Sequence, residues 1–126
     1  MNEVVQSWVK KAENDLKNAT HTLKMGDDCP YDTVCFHAQQ AAEKYIKALL
    51  TYFSVDFPKS HDIGELISLL SSHVVLNLEV EGQERLTDYA TTSRYPGDEA
   101  LTRSDAEDAL TLAKKVKAEV LNVLQK

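Results

Sequence analysis

The chain has 126 residues, 43% of them hydrophobic and 27% charged, and a formal net charge of −6. That length suits a single domain, residues 1–126, able to bury roughly two thirds of the surface its unfolded chain exposes, with no need of a metal or disulfide staple. The acidic balance argues against a general nucleic-acid binder, and no run of about 18 apolar residues supports a membrane span.

The N-terminal stretch MNEVVQSWVKKAENDLK is charged throughout and lacks the apolar segment of a secretory signal. The two cysteines, Cys29 and Cys35, read as reduced thiols, so a cytoplasmic location is expected. Helical periodicity then dominates. Val5, Trp8, Val9, Ala12, Leu16, Ala19 and Leu23 fall on one stripe of a first helix, with Lys10, Lys17 and Lys24 on its far side. Gly26, followed by Asp27, Asp28 and Pro30, ends it.

A second helix is expected from about Asp32 to Phe53, within the few-residue error of such boundaries. Val34, Ala38, Ala41, Ala42, Tyr45, Ile46, Leu49 and Phe53 make its apolar face, and the alanines allow close approach by another helix. Ser60 can cap a third helix, with Asp62 and Glu65 in a first turn that favours acids and Ile63, Leu66, Ile67 and Leu70 facing inward. A fourth, less regular helix covers roughly Glu79 to Thr92, with Leu86, Tyr89 and Ala90 inside. After the long connection RYPGDEALTRSD, Thr102 or Ser104 caps the last helix, and Ser104 with Glu107 fits a capping box. Its stripe is Ala106, Ala109, Leu110, Ala113, Val116, Val120 and Leu124. The expected fold is all-α, an antiparallel up-and-down bundle of four to five helices with no internal repeat.

The second helix carries the most informative surface. At about 100° per residue, His37, Gln40, Lys44 and Lys47 fall within an arc of roughly 80°, opposite the apolar face. Long polar side chains on an outer face are ordinary, so the row reads first as a solvated surface. Phe36 and Leu50, however, project away from the core stripe and flank the row, which points to a partner surface such as a second copy of the chain. Periodicity alone leaves that choice open.

The other candidates divide similarly. His61, next to Asp62 at a helix start, can cap, pack or face an anion. His21 and His73 read as surface residues. Arg94 and Tyr95 in the long loop can hold a phosphate and stack on a base, or pin the loop to the bundle. Cys29, Cys35 and His37 match no common zinc spacing, so no metal is expected; neither a Gly-rich phosphate loop nor a Ser-His-Asp arrangement can be picked out, and no cofactor is expected.

Five segments together, WVKKAENDLKNA, CFHAQQAAEKYIKALL, PKSHDIGEL, SRYPG and TRSDAEDALTLAKKV, resemble the HEPN family across nearly the whole chain. The resemblance implies a four- or five-helix bundle that pairs into a homodimer, giving Phe36 and Leu50 a counterpart. It implies nucleotide binding, and often a minimal nucleotidyltransferase as partner in a toxin–antitoxin type of system. Some family members are metal-independent ribonucleases that use an Arg followed four to six residues later by a His. Here the first arginine is Arg85 and the last histidine is His73, so that motif cannot be written. The resemblance therefore implies a non-catalytic protein that binds a nucleotide of the ATP or GTP kind, a nucleotidyltransferase, or both. The alternative is a divergent metal-independent ribonuclease toxin. The matching polar positions are His37, Gln40 and Lys44, then His61 and Asp62, then Arg94 and Tyr95. Lys44 and Arg94 are the expected phosphate contacts, Tyr95 a stacking platform, and Asp62 a cap or an orienter of His61.

Overall fold

Helix α1 spans Glu3–Leu23, α2 Tyr31–Tyr52, α3 Ile63–Ser68, α4 Val80–Asp88 and α5 Arg103–Leu124. These come from a computed structural model that describes residues 2–90, 97 and 99–125. Helices α1 and α5 begin where a side chain satisfies an unpaired amide of the first turn. The Asn2 side chain accepts a hydrogen bond from the Val5 amide at 2.9 Å and starts α1. Thr102 starts α5 through a capping box with Asp105. Gly26, at φ +84°, takes the left-handed conformation that a Cβ would oppose and turns the chain out of α1. A short 3-10 turn over Gly26–Asp28 and Pro30 then lead into α2.

The bundle is built around α2. Helices α1 and α5 both pack along it, while α3 and α4 pair with each other and also touch it. Together they form the expected up-and-down all-helical bundle, with no strand among the described residues. The predicted stripe of α5 is buried at every position, and so are Val5, Val9, Ala12, Leu16 and Ala19 of α1. Trp8 and Leu23 are half-buried against that core.

Helix α2 is covered around most of its circumference, and this accounts for the largest departure from the periodicity reading. Cys35, Gln39, Glu43, Lys47, Ala48 and Leu50 are buried as well as Val34, Ala38, Ala41, Ala42, Tyr45, Ile46 and Leu49 of the apolar stripe, whereas Phe53, just past the end of α2, is half-buried. Leu50, expected to project toward a second copy, has no exposed surface in this chain, because α2 is covered on more than one side. Phe36 stays half-buried. Lys47, expected on the polar face, is also buried.

At two helix starts the structure selects among the residues the sequence offered as caps. Asp62, not Ser60, caps α3 by accepting from the Glu65 amide at 3.1 Å; the Ser60 hydroxyl instead accepts from the Asp62 amide. The capping box of α5 is Thr102 with Asp105, not Ser104 with Glu107, since α5 starts at Arg103. Helix α4 is shorter than the sequence suggested and ends at Asp88.

Candidate functional site

The polar residues of α2 form two adjacent rows, one step of the helix apart. His37, Gln40 and Lys44 make up the first, and two of them reach Asp15 of α1. The His37 Nδ1 lies 3.0 Å from Asp15 Oδ1, and the Lys44 ammonium contacts Asp15 Oδ2. Gln39, Glu43 and Lys47 stand at i, i+4 and i+8 and lean toward the segment that precedes α3. Glu43 Oε1 accepts from Gln39 Nε2 at 3.0 Å and meets the His61 Nδ1 at 2.7 Å, while Oε2 accepts from Lys47 Nζ at 2.9 Å. Gln40 Nε2 donates to Gln39 Oε1 at 2.7 Å and links the second row to the first. The seam is thus centred on two carboxylates, each holding one histidine and one lysine.

Solvent reaches the network unevenly. The Glu43 side chain is only 4% exposed, whereas His61 is 65% exposed, His37 27% and Lys44 23%. Burial opposes ionisation of Glu43. Hydrogen bonds from Lys47, His61 and Gln39 and the Lys47 charge outweigh it and hold the carboxyl below its ordinary value. An ionised carboxylate only accepts, so His61 presents Nδ1–H to it and leaves Nε2 for other partners. Lys47 is further held by aromatic rings. Its ammonium sits 5.7 Å from the Trp8 ring centroid and 5.8 Å from that of Phe57, and those two rings meet edge to face. This clamp ties the segment before α3 to α1 and α2.

Of the residues singled out in the sequence, His37, Gln40, Lys44, Lys47 and His61 therefore come together along one seam. Asp62 lies beside it as the α3 cap. Arg94 and Tyr95 lie outside the described residues. Sequence reasoning missed the groups that organise the seam: Asp15, Gln39, Glu43, and the Trp8–Phe57 clamp. A signal existed for Gln39 and Glu43, which recur with Lys47 at four-residue spacing, where side chains on a helix meet. Asp15 carried none, because its role depends on how α1 and α2 are rotated against each other.

Chemically the seam offers fixed donors along an open edge. The described residues contain no group of three or more His, Cys, Asp or Glu side chains able to hold a metal ion, and Cys29 and Cys35 are buried thiols outside any disulfide. No described helix is long and apolar enough to cross a membrane.

A family model described as "HEPN domain" matches residues 5–123. Among solved structures, TT1696 from Thermus thermophilus is 31% identical, with 97% of this chain and 98% of that one covered and a TM-score of 0.74. A HEPN-domain protein from Thermotoga maritima is 24% identical, with 95% and 98% covered and a TM-score of 0.70. ST0689, an archaeal HEPN homologue, is also 24% identical, with 97% and 98% covered and a TM-score of 0.70. The latter two likenesses concern fold alone. Comparison with curated proteins gives no match.

Proposed function

The chain belongs to the HEPN family, and from that premise we propose that it is a non-catalytic binding protein whose α1–α2 seam takes the phosphate end of a nucleotide. The observation that carries this reading is the pair of carboxylates, Asp15 and Glu43, that fix His37, Lys44 and His61 along one partly open edge. Donors already held in place lose little freedom when an anion arrives, so more of the contact energy appears as affinity. Lys44 and His61 meet the phosphates, and His37 and Gln40 meet ribose or base edges. Arg94, as a phosphate contact, and Tyr95, as a stacking platform, are the further ligand residues that the family resemblance implies. The protein works as a homodimer beside a nucleotidyltransferase partner, in the manner of a toxin–antitoxin pair. Phe36 is the residue left to the dimer contact, since Leu50 is fully engaged in the core.

The test is calorimetric titration with ATP and GTP. Saturable binding by the wild type, weakened about tenfold or more in Lys44→Ala and in Arg94→Ala, is the expected result. Absence of binding in the wild type removes the nucleotide reading.

A second reading has one observation in its favour. Two histidines each oriented by a carboxylate, His37 by Asp15 and His61 by Glu43, are the arrangement a general base needs. On this reading the protein is a divergent ribonuclease. It requires RNA cleavage without added metal that His61→Ala or His37→Ala abolishes, and intact RNA at high protein concentration eliminates it.

A further inference from the structure

On the opposite side of α1 from the seam, a second concave site opens between α1 and α5. Glu13, Leu16, Lys17 and His21 of α1 face Lys114 and Lys117 of α5 across a cavity of about 240 Å³. At 3.6 residues per turn, Glu13 and Lys17 lie roughly 160° round the helix from Asp15, so the two sites share no wall.

The charge there runs against the rest of the molecule. The chain carries a net charge of −6, yet the groove gathers Lys17, Lys114, Lys117 and the His21 imidazole against the single Glu13 carboxylate. The ion pairs of lysine and arginine among the described residues join Lys44 to Asp15, Lys47 to Glu43 and Arg85 to Asp108, while His37 and His61 hydrogen-bond to Asp15 and Glu43. None involves Lys17, Lys114 or Lys117. The seam's lysines are occupied by carboxylates, whereas the groove's lysines are not.

Like charges brought together in a concavity repel one another, and low-dielectric walls concentrate their field. A bound anion relieves that repulsion and gains from the field. Lys17 lies on the α1 wall one turn from His21, and Lys114 and Lys117 stand one turn apart on α5, so a lysine ammonium lines each wall. Leu16, mostly buried, offers an apolar surface beside them. The volume is below the roughly 300–1,000 Å³ of pockets that enclose drug-sized ligands, which favours a compact anion.

We propose that the α1–α5 groove is a binding site for the phosphate or pyrophosphate group of a small phosphorylated molecule. Lys17, Lys114 and Lys117 contact the phosphate oxygens, His21 adds a contact at the rim, and Leu16 packs against the carbon portion next to the phosphate. Glu13 excludes ligands with a second anionic end on its side. The proposal is independent of the seam reading, because the two sites have no residue in common.

The experiment is titration of the full chain with inorganic pyrophosphate by calorimetry, beside Lys114→Gln/Lys117→Gln, Lys17→Gln and Lys59→Gln. Lys17, Lys59 and Lys114 are exposed and Lys117 is partly so. Circular dichroism with thermal melting checks that each variant is folded. One-to-one saturable binding is expected in the wild type and in Lys59→Gln, with affinity falling at higher salt. The double variant should bind at least about tenfold more weakly, and Lys17→Gln should also lose affinity. The proposal is overturned by no saturable binding up to about 10 mM pyrophosphate. It is equally overturned by unchanged affinity in the double variant, or by an equal loss in Lys59→Gln. Binding of a single-stranded RNA octamer through the same lysines, with no pyrophosphate binding, would also replace it by a nucleic-acid surface.

Discussion

Glu43 shows how much a single side chain can organise. Its carboxylate is nearly sealed from water and accepts from Gln39, Lys47 and His61, which join α2 to the segment before α3. Replacing it by Gln leaves the buried Lys47 ammonium without its counter-charge. A cost of roughly 3 kcal/mol or more is expected by chemical denaturation, since breaking a buried pair exposes the uncompensated partner's desolvation penalty. The pH dependence has a definite sign. The folded carboxyl titrates below its ordinary value of 4.5, so its contribution is present above that value and disappears as the pH falls through the folded value. Stability of the wild type should therefore drop more steeply than that of Glu43→Gln between about pH 5 and pH 3. Leu50 makes the complementary point. Leu50→Ala should cost roughly 2–5 kcal/mol in the folding of the chain itself, because the side chain fills its own core. Loss of dimer with unchanged stability of the fold would contradict that placement. Spacing and motif made His37, Gln40, Lys44 and His61 visible in the sequence. They could not reveal Asp15, because a residue's partner across two helices is decided by their relative rotation, which periodicity leaves free.

At the scale of elements, most of the architecture was legible. The stripes of α1 and α5 repeat with a clean helical period, and nearly all the residues that repeat are buried. Helix α2 was only half legible. A pattern with one apolar stripe and one polar row reads as a surface helix, yet α2 is covered by α1 and α5 and in part by α3 and α4. Its polar residues satisfy one another with ion pairs and hydrogen bonds, which no single-helix pattern can distinguish from solvation. Helix ends were the least legible feature, because several neighbouring residues were chemically able to cap. For α5 the geometry selects one. Thr102→Ala should lower stability by about 1 kcal/mol, while Ser104→Ala should leave it within about 0.5 kcal/mol, both read from denaturant midpoints. The reverse order would return the cap to Ser104.

For the whole molecule, the two faces of α1 divide its nitrogen donors into two kinds. Toward α2, lysines and histidines are held by Asp15 and Glu43 in a partly open seam. Toward α5, Lys17, Lys114 and Lys117 face a groove in which no ion pair occupies them. Membership of the HEPN family explains the bundle, but not which face meets a ligand. A preorganised seam gives geometric selectivity but little free charge, whereas an unpaired groove gives electrostatic attraction with little selectivity. The measurement that separates them is a residue-by-residue map of backbone amide shifts during titration of the isotope-labelled chain with ATP. Saturable shifts around Asp15, His37, Lys44 and His61 are the expected result. Shifts confined to residues around Lys17, Lys114 and Lys117, or no saturable shift at all, would contradict the assignment of nucleotide binding to the seam.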